Sequence, residues 1–197
     1  MTYDKFVMAT ANLGKIREMS EILVDFDIGI VSRKELGIDI IVDETSSTYF
    51  GNALLKAEAI CKASGLPAIA DDSGLEVEAL GCEPGVYSSS YGGEHLDDCK
   101  RCLYLLKKME GLERRAARFV CTIVCMYPDG GIITAHGECK GEIAYAPRGS
   151  GGFGYDPVFV ANGTDKTFAE LSQEEKNMLS HRGKALRALR EQFVISN

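Results

Sequence analysis

The sequence predicts an α/β protein built on a mixed β-sheet with flanking helices, and three observations carry that expectation. Short apolar runs of β character alternate with amphipathic helical segments through the first hundred or so residues. Two long β-rich runs then flank a Pro-Asp-Gly turn, and the C-terminal segment returns to helical periodicity. The 197 residues, 45% hydrophobic and 26% charged, are enough to bury a real interior, so a single domain over residues 1–197 with no separable linker is expected.

Residues 4–10, which include Lys5-Phe6-Val7-Met8-Ala9-Thr10, read as a strand. Residues 14–26 read as a helix with Ile16, Met19, Leu23 and Phe26 on one face, and a short strand follows from Ile28 to Ser32. A long helix is expected from about Thr48 to Ala63, ended by Gly65 and Pro67. Two strands, 67–70 and 75–79, are expected on either side of a loop carrying Asp71-Asp72-Ser73-Gly74, because Asp, Ser and Gly are turn residues. Another amphipathic helix covers 95–109, with Leu96, Cys99, Leu103 and Leu106 in phase. Arg118–Tyr127 and Gly131–Lys140 form the hairpin around Pro128-Asp129-Gly130. The capping box Ser172-Gln173-Glu174-Glu175 opens a helix over 173–179, and a last helix after Ser180 turns Leu186, Leu189 and Phe193 to the core.

Composition narrows the function classes. With 29 acidic against 22 basic residues the chain is a poor candidate for a broad nucleic-acid surface, although a small anionic ligand needs only a few local cations. No apolar stretch approaches the ~18 residues of a membrane span, and no secretory leader pattern is present. Seven scattered cysteines, an odd number without a secreted framework, point to the reducing cytoplasm. Cys99 and Cys102 form a C-x-x-C without a second ligand pair, and a structural zinc needs four ligands. Cys121 and Cys125 share one face of a β run and read as small apolar core residues.

Four segments could carry chemistry. Thr10-Ala11-Asn12-Leu13-Gly14-Lys15 joins a strand to a helix, where backbone N–H groups and the positive helix end suit a phosphate, and Lys15 adds a charge. It is not a Walker A loop, since Ala9 and Ile16 stand where that pattern needs Gly and Ser or Thr. Asp43-Glu44 precede a helix that puts Asn52 and Lys56 on one polar face, four residues apart, next to an acidic pair. Asp71-Asp72-Ser73-Gly74 ends an apolar run in two carboxylates, either as a plain turn or as a site that holds a hard divalent cation and activates water. Gly149 to Gly154 contains a G-x-G-x-x-G match, but Pro157 and Val158-Phe159-Val160 follow instead of a helix, so it is no dinucleotide fingerprint. Its Phe153 is still an aromatic ring in a close-approach backbone, suited to stacking on a base. Lys176 with Ser180-His181-Arg182 adds donors for oxygen acceptors at a helix junction.

Taken together these segments, with Pro84-Gly85-Val86-Tyr87-Ser88, resemble the inosine triphosphate pyrophosphatase family, and the resemblance covers essentially the whole chain in family order. It implies an elongated fold of two lobes around a central active-site cleft, usually a homodimer. It also implies Mg²⁺-dependent cleavage of non-standard purine nucleoside triphosphates (ITP, dITP, XTP) to monophosphate and pyrophosphate, which cleanses the nucleotide pool. On that resemblance Asp72 is metal ligand and general base, Asp43 and Glu44 are the other metal-side carboxylates, and Lys56 and Lys15 offset phosphate charge. Ser73 and residues 10–15 would hold phosphates or sugar. Phe153 would stack on the purine, Gly154, Tyr155 and Asp156 would line its pocket, and Lys176, His181 and Arg182 would meet the base or its 6-oxo group. The chain departs from the family pattern at Asp43 (usually Glu), at Gly51 (usually acidic) and near Ser90 (where Arg is expected). A catalytically silent nucleotide-binding module is the alternative reading. An aspartyl-phosphate phosphatase would need an Asp-x-Asp nucleophile segment, which is absent.

Overall fold

A computed structural model of the chain describes residues 3–24 and 29–195. The strands are β1 (Lys5–Met8), β2 (Gly29–Ser32), β3 (Ala68–Val77), β4 (Ala116–Met126), β5 (Ile132–Ile143) and β6 (Phe159–Ala161). The helices are α1 (Leu13–Leu23), α2 (Tyr49–Ser64), α3 (Asp98–Lys108), α4 (Gln173–Leu179) and α5 (His181–Ile195). The sheet is mixed, in the order β2-β1-β3-β4-β5-β6, with β1 parallel to β2 and β3, and β5 antiparallel to β6. The chain forms two compact units. One comprises residues 1–72, 121–137 and 182–197, the other 73–120 and 138–181, so β3, β4 and β5 each contribute to both.

In the first unit, β1 and the start of β3 lie in parallel pairing and are buried on both faces, as parallel strands require. Strand alternation divides their side chains between two cores. Phe6, Met8 and Ile69 pack with Met19 and Leu23 of α1 and with Leu186 and Leu189 of α5. Val7, Ala9, Ala68 and Ala70 pack with Ala53, Ala57 and Ile60 of α2. Small residues on both sides of this second contact let α2 approach the sheet closely. Asn12 caps α1 by accepting from the Lys15 N–H, and Thr48 caps α2 by accepting from the Gly51 N–H. Gly65, at φ 66°, closes α2 in the left-handed conformation with its N–H on the Cys61 carbonyl.

In the second unit, Leu75 and Val77 of β3 join Cys102, Leu105 and Met109 of α3 around Phe119, Tyr155, Phe159 and Phe168. Phe119 meets Phe159 edge-on at 4.7 Å between ring centres and lies parallel to Phe168 at 5.8 Å. Ser172 and Glu175 form the expected capping box at the head of α4.

One expectation is overturned. No turn separates two strands at Asp71-Asp72; β3 runs unbroken through Ala68–Val77. Asp, Ser and Gly are poor strand residues, but here tertiary partners decide, because each carboxylate finds cations on the helix that covers its face. Smaller differences follow from caps: the 95–109 helix starts at Asp98 because Asp97 accepts from the Lys100 N–H. The first strand ends at Met8, and the last helix carries Leu186 and Leu189 inward as expected. Phe26 and Ile28 lie outside the described residues. Among the described residues no helix is long and apolar enough to cross a membrane.

Ile69 is fully enclosed, whereas Leu13 is 79% exposed at the head of α1. Ile69→Ala should therefore cost about 2–5 kcal/mol in urea unfolding, and Leu13→Ala should stay within about 0.5 kcal/mol of the parent.

Candidate active site

Because β3 is continuous, Asp71 and Asp72 point to opposite faces of the sheet. Asp71 shares the face of Ile69 and is met by α1 and α5. Its Oδ2 lies 3.0 Å from Lys15 Nζ and accepts from the Arg182 guanidinium at 3.1 and 3.2 Å. Arg182 also pairs with Glu18 of α1, and all three of Asp71, Glu18 and Arg182 are buried. Burial by itself would raise the Asp71 pKa, but Lys15, then Arg182 and Lys56, hold it well below the usual carboxylate range. Arg182 is shifted up for the reciprocal reason: burial opposes its charge, and Asp71 and Glu18 outweigh burial.

Asp72 shares the face of Ala68 and Ala70 and is met by α2. Lys56 Nζ donates to its Oδ1 at 3.2 Å and Asn52 Nδ2 to its Oδ2 at 3.3 Å. The same ammonium donates to Glu44 at 2.9 Å. Burial pushes the Asp72 pKa up to about 6, against the pull of Lys56 and Lys15 and with the help of the Glu44 charge. Lys56 is shifted upward: burial works against its charge, but Asp72, Asp71 and Glu44 prevail. Adjacent carboxylates thus end in different states: Asp71 is held ionised by the cations on its Oδ2, while the pKa of Asp72 is lifted to about 6.

Lys56 acts here as a cation between two carboxylates, and the donors around it are oxygens suited to a hard ion. Among the described residues no three His, Cys, Asp or Glu side chains group closely enough to enclose a metal. Asp43 is exposed, one residue before Glu44. The donor set fits Mg²⁺, which is commonly held by one or two carboxylates plus phosphates and water rather than by a closed protein cage.

The second unit holds the aromatic and donor residues. Asp156 accepts from the Phe153 N–H at 2.8 Å and pairs with Lys176, whose ammonium stands 4.9 Å from the Phe153 ring centre. Gly152 takes a positive φ of 72°, and a side chain there would run into the Asp156 carboxylate. The Gly154 N–H donates to Asp98 at 2.7 Å, and the buried Tyr155 hydroxyl donates to the Ser88 carbonyl at 2.9 Å. His181 is buried and stacks on Phe119 at 4.6 Å, tilted by 9°. Ser73 is half-buried in β3.

The profile of the Ham1 family matches residues 6–192 of this sequence. The chain belongs to the Ham1 family. It is 51% identical over 191 residues to a Thermus thermophilus protein named dITP/XTP pyrophosphatase, covering 96% of this chain and 91% of that one. A protein of the same name from Escherichia coli is 46% identical over 189 residues, with 94% and 95% covered. The structure of the Staphylococcus aureus Ham1 protein superposes with a TM-score of 0.88 at 42% identity, covering 98% of this chain and 100% of that chain.

Within this Ham1 chain the first unit brings together Lys15, Glu44, Lys56, Asp71, Asp72 and Arg182, while Thr10 and Asn12 shape the turn before α1: Thr10 Oγ1 accepts from the Asn12 N–H at 3.2 Å. Ala11 and Leu13 are exposed and Gly14 is half-buried on that turn. The Arg182 guanidinium lies on Asp71 and Glu18. Phe153, Asp156 and Lys176 cluster in the second unit, and His181 keeps its ring on Phe119. Two further carboxylates, Glu18 on Arg182 and Asp98 on the Gly154 N–H, join these groups without having been among the sequence candidates. Glu18 was legible as the i+3 neighbour of Lys15 beside Met19, a charge on a core-facing stripe; Asp98 sits in an ordinary helix start and gave no signal.

The two aspartates should respond oppositely to neutralisation. An Asp whose folded pKa is raised binds more protons in the native state between pH 4 and 6 or so, so stability falls as pH rises through that window. In metal-free protein Asp72→Asn should add on the order of 2–3 kcal/mol at pH 8 and nothing below about pH 4, as read by urea unfolding. Asp71→Asn should instead cost about 3–5 kcal/mol throughout pH 5–8, because it takes from the buried Arg182 one of its two carboxylate partners and from Lys15 the carboxylate at 3.0 Å, and the contribution of Asp71 is lost only in strong acid.

Proposed function

We propose that the chain is an Mg²⁺-dependent nucleoside-triphosphate pyrophosphatase acting on ITP, dITP and XTP. The observation that carries this reading is Asp72, a buried carboxylate between Lys56 and Asn52 with its pKa up at about 6. A base so poised is ionised at neutral pH yet basic enough to take a proton from water. The names of the relatives, dITP/XTP pyrophosphatase, supply the substrate class.

In this reading a water deprotonated by Asp72 attacks the α-phosphorus. The α–β bridging oxygen leaves with its electron pair, and the products are the nucleoside monophosphate and pyrophosphate. Lys56 and Lys15 set positive charge against the phosphates, and the turn at residues 10–15, with Ser73, supplies donors to them. Asp72 and Glu44, with Asp43 beside them, would hold Mg²⁺. Bound there, the ion would neutralise phosphate charge and orient the attacking water.

The second unit supports purine recognition. Phe153 offers a ring of which one face is already stiffened by Lys176, and Asp156 fixes both. A donor such as Lys176 or His181 directed at a 6-oxo group rejects adenine, whose amino group would leave the donor unpaired. The cytoplasm suits the five buried thiols, and a homodimer is the expected working form.

With ITP and Mg²⁺ the protein should release pyrophosphate, while ATP is turned over poorly. Asp72→Asn should lose at least about a thousandfold in kcat while still binding ITP. Orthophosphate as first product, or full activity in Asp72→Asn, would reject the mechanism. On ITP, kcat/KM should fall as pH drops and Asp72 protonates, and bound Mg²⁺ should move that fall below the metal-free value of about 6.

A further inference from the structure

The segment before α2 poses a physical problem. Residues 38–46 form neither helix nor strand, and most of 39–45 is exposed, yet Glu44 reaches the buried Lys56 beside Asp72. Ile38 packs on the α2 side of the core at its start, and among the described residues two polar contacts to α2 side chains follow near its end. One is the Glu44–Lys56 ion pair, half-open to solvent on the Glu44 side, where such pairs contribute about 1 kcal/mol or less. On the pyrophosphatase reading its charges are the ones that a cation or a phosphate would engage. The other is neutral. The Ser46 N–H donates at 2.9 Å to Oδ1 of Asn52, whose Nδ2 donates to Asp72. Asn52 is only 2% exposed, so one buried amide joins the loop to the strand and uses both ends of its side chain.

The loop can reach Asn52 because of the residue beside it. At the head of α2 the Ser46 hydroxyl accepts from the Thr48 N–H at 3.1 Å, and the Thr48 hydroxyl accepts from the Gly51 N–H at 3.1 Å. In a Thr-x-x-Glu capping box the third helical residue would satisfy the Thr N–H. Here that position is Gly51, and the Ser46 hydroxyl takes the bond in its place. A Cβ on residue 51 would overlap the Ser46 hydroxyl and come within 2.6 Å of Ser46 Cβ. Ser46 and Gly51 are therefore complementary: the missing side chain is the space into which the loop folds.

We propose that Asn52 is a positioning residue that, through the Ser46–Gly51 contact, seats the acidic segment 43–45 against Asp72 and Lys56. It holds that segment by neutral hydrogen bonds while the charges around Lys56 are redistributed. Its kinetic consequence rests on the pyrophosphatase reading; its structural consequence does not.

Hydrogen exchange on metal-free protein tests the structural part. Asn52→Ala should speed exchange of the Ser46 amide by about tenfold or more, leaving Val7 and Ile60 unchanged. Alanine is also the better helix former, so helix weakening is not the cause of such a change. Gly51→Ala should likewise speed Ser46 exchange, although Gly to Ala inside a helix normally stabilises, and adding Ser46→Gly should return the residue-46 amide toward parental protection. Unchanged Ser46 exchange in both single variants overturns the proposal. With ITP and Mg²⁺, Asn52→Ala should lower kcat by about tenfold to a hundredfold and raise the Mg²⁺ concentration for half activity, with the KM for ITP within about threefold. Parental kcat and Mg²⁺ dependence in that variant also overturn it. If the parent protein releases no pyrophosphate from ITP, the functional reading fails and the exchange result alone decides whether Asn52 holds the segment.

Discussion

The first unit depends on two neighbouring carboxylates being placed inside one strand. An ionised side chain taken out of water costs several kcal/mol unless cations and hydrogen-bond donors meet it. Strand geometry sends Asp71 and Asp72 to opposite faces, so one helix layer cannot satisfy both. Lys15 and Arg182 must come from α1 and α5 on one side, and Lys56 and Asn52 from α2 on the other. The apolar packing of the same helices, Met19 and Leu186 against Ile69, Ala53 and Ala57 against Ala68, brings those polar groups to the right level of the sheet. Core and charge placement are thus one arrangement.

The asymmetry between the faces separates a structural role from a chemical one. Asp71 is over-supplied with cations and stays ionised at any ordinary pH. Asp72 is buried with a single ammonium that it shares with Glu44, and its charge is tolerated rather than favoured. A carboxylate whose environment holds it near neutrality is the one able to exchange a proton, whereas its neighbour anchors Lys15 and Arg182. The second unit uses a related device at Asp156, which ties Lys176 to the Phe153 backbone and so stiffens a ring with a cation on its face.

Gly51 shows how a departure from a family pattern acquires a physical meaning. Read along the chain it is a missing acid at the start of a helix. In the structure it is the opening that admits Ser46, whose hydroxyl takes over the capping bond and whose N–H reaches Asn52. Asp43, the other altered acid, stays exposed on the segment this contact tethers. Ser90 lies in a turn on the Tyr87 carbonyl, and nothing around it explains its identity.

Local chemistry determined a good deal from the sequence alone. The alternating elements, the Gly65 stop, the Pro128-Asp129-Gly130 hairpin, the capping box at Ser172 and the 52–56 polar face were all legible, because each depends on residues within a few positions of one another. The same local rules read Asp71-Asp72-Ser73-Gly74 as a turn between two strands. Only the tertiary structure decided otherwise, since the partners of Asp71 lie as far as 111 residues away and Arg182 meets Glu18 across 164. Turn propensity is a weak local preference, and strand pairing, apolar packing on both faces and the partners that meet each carboxylate override it at that point. The motif itself said that two carboxylates mattered; the strand's alternation and the helices on its two faces decided which one is held and which one is left able to react.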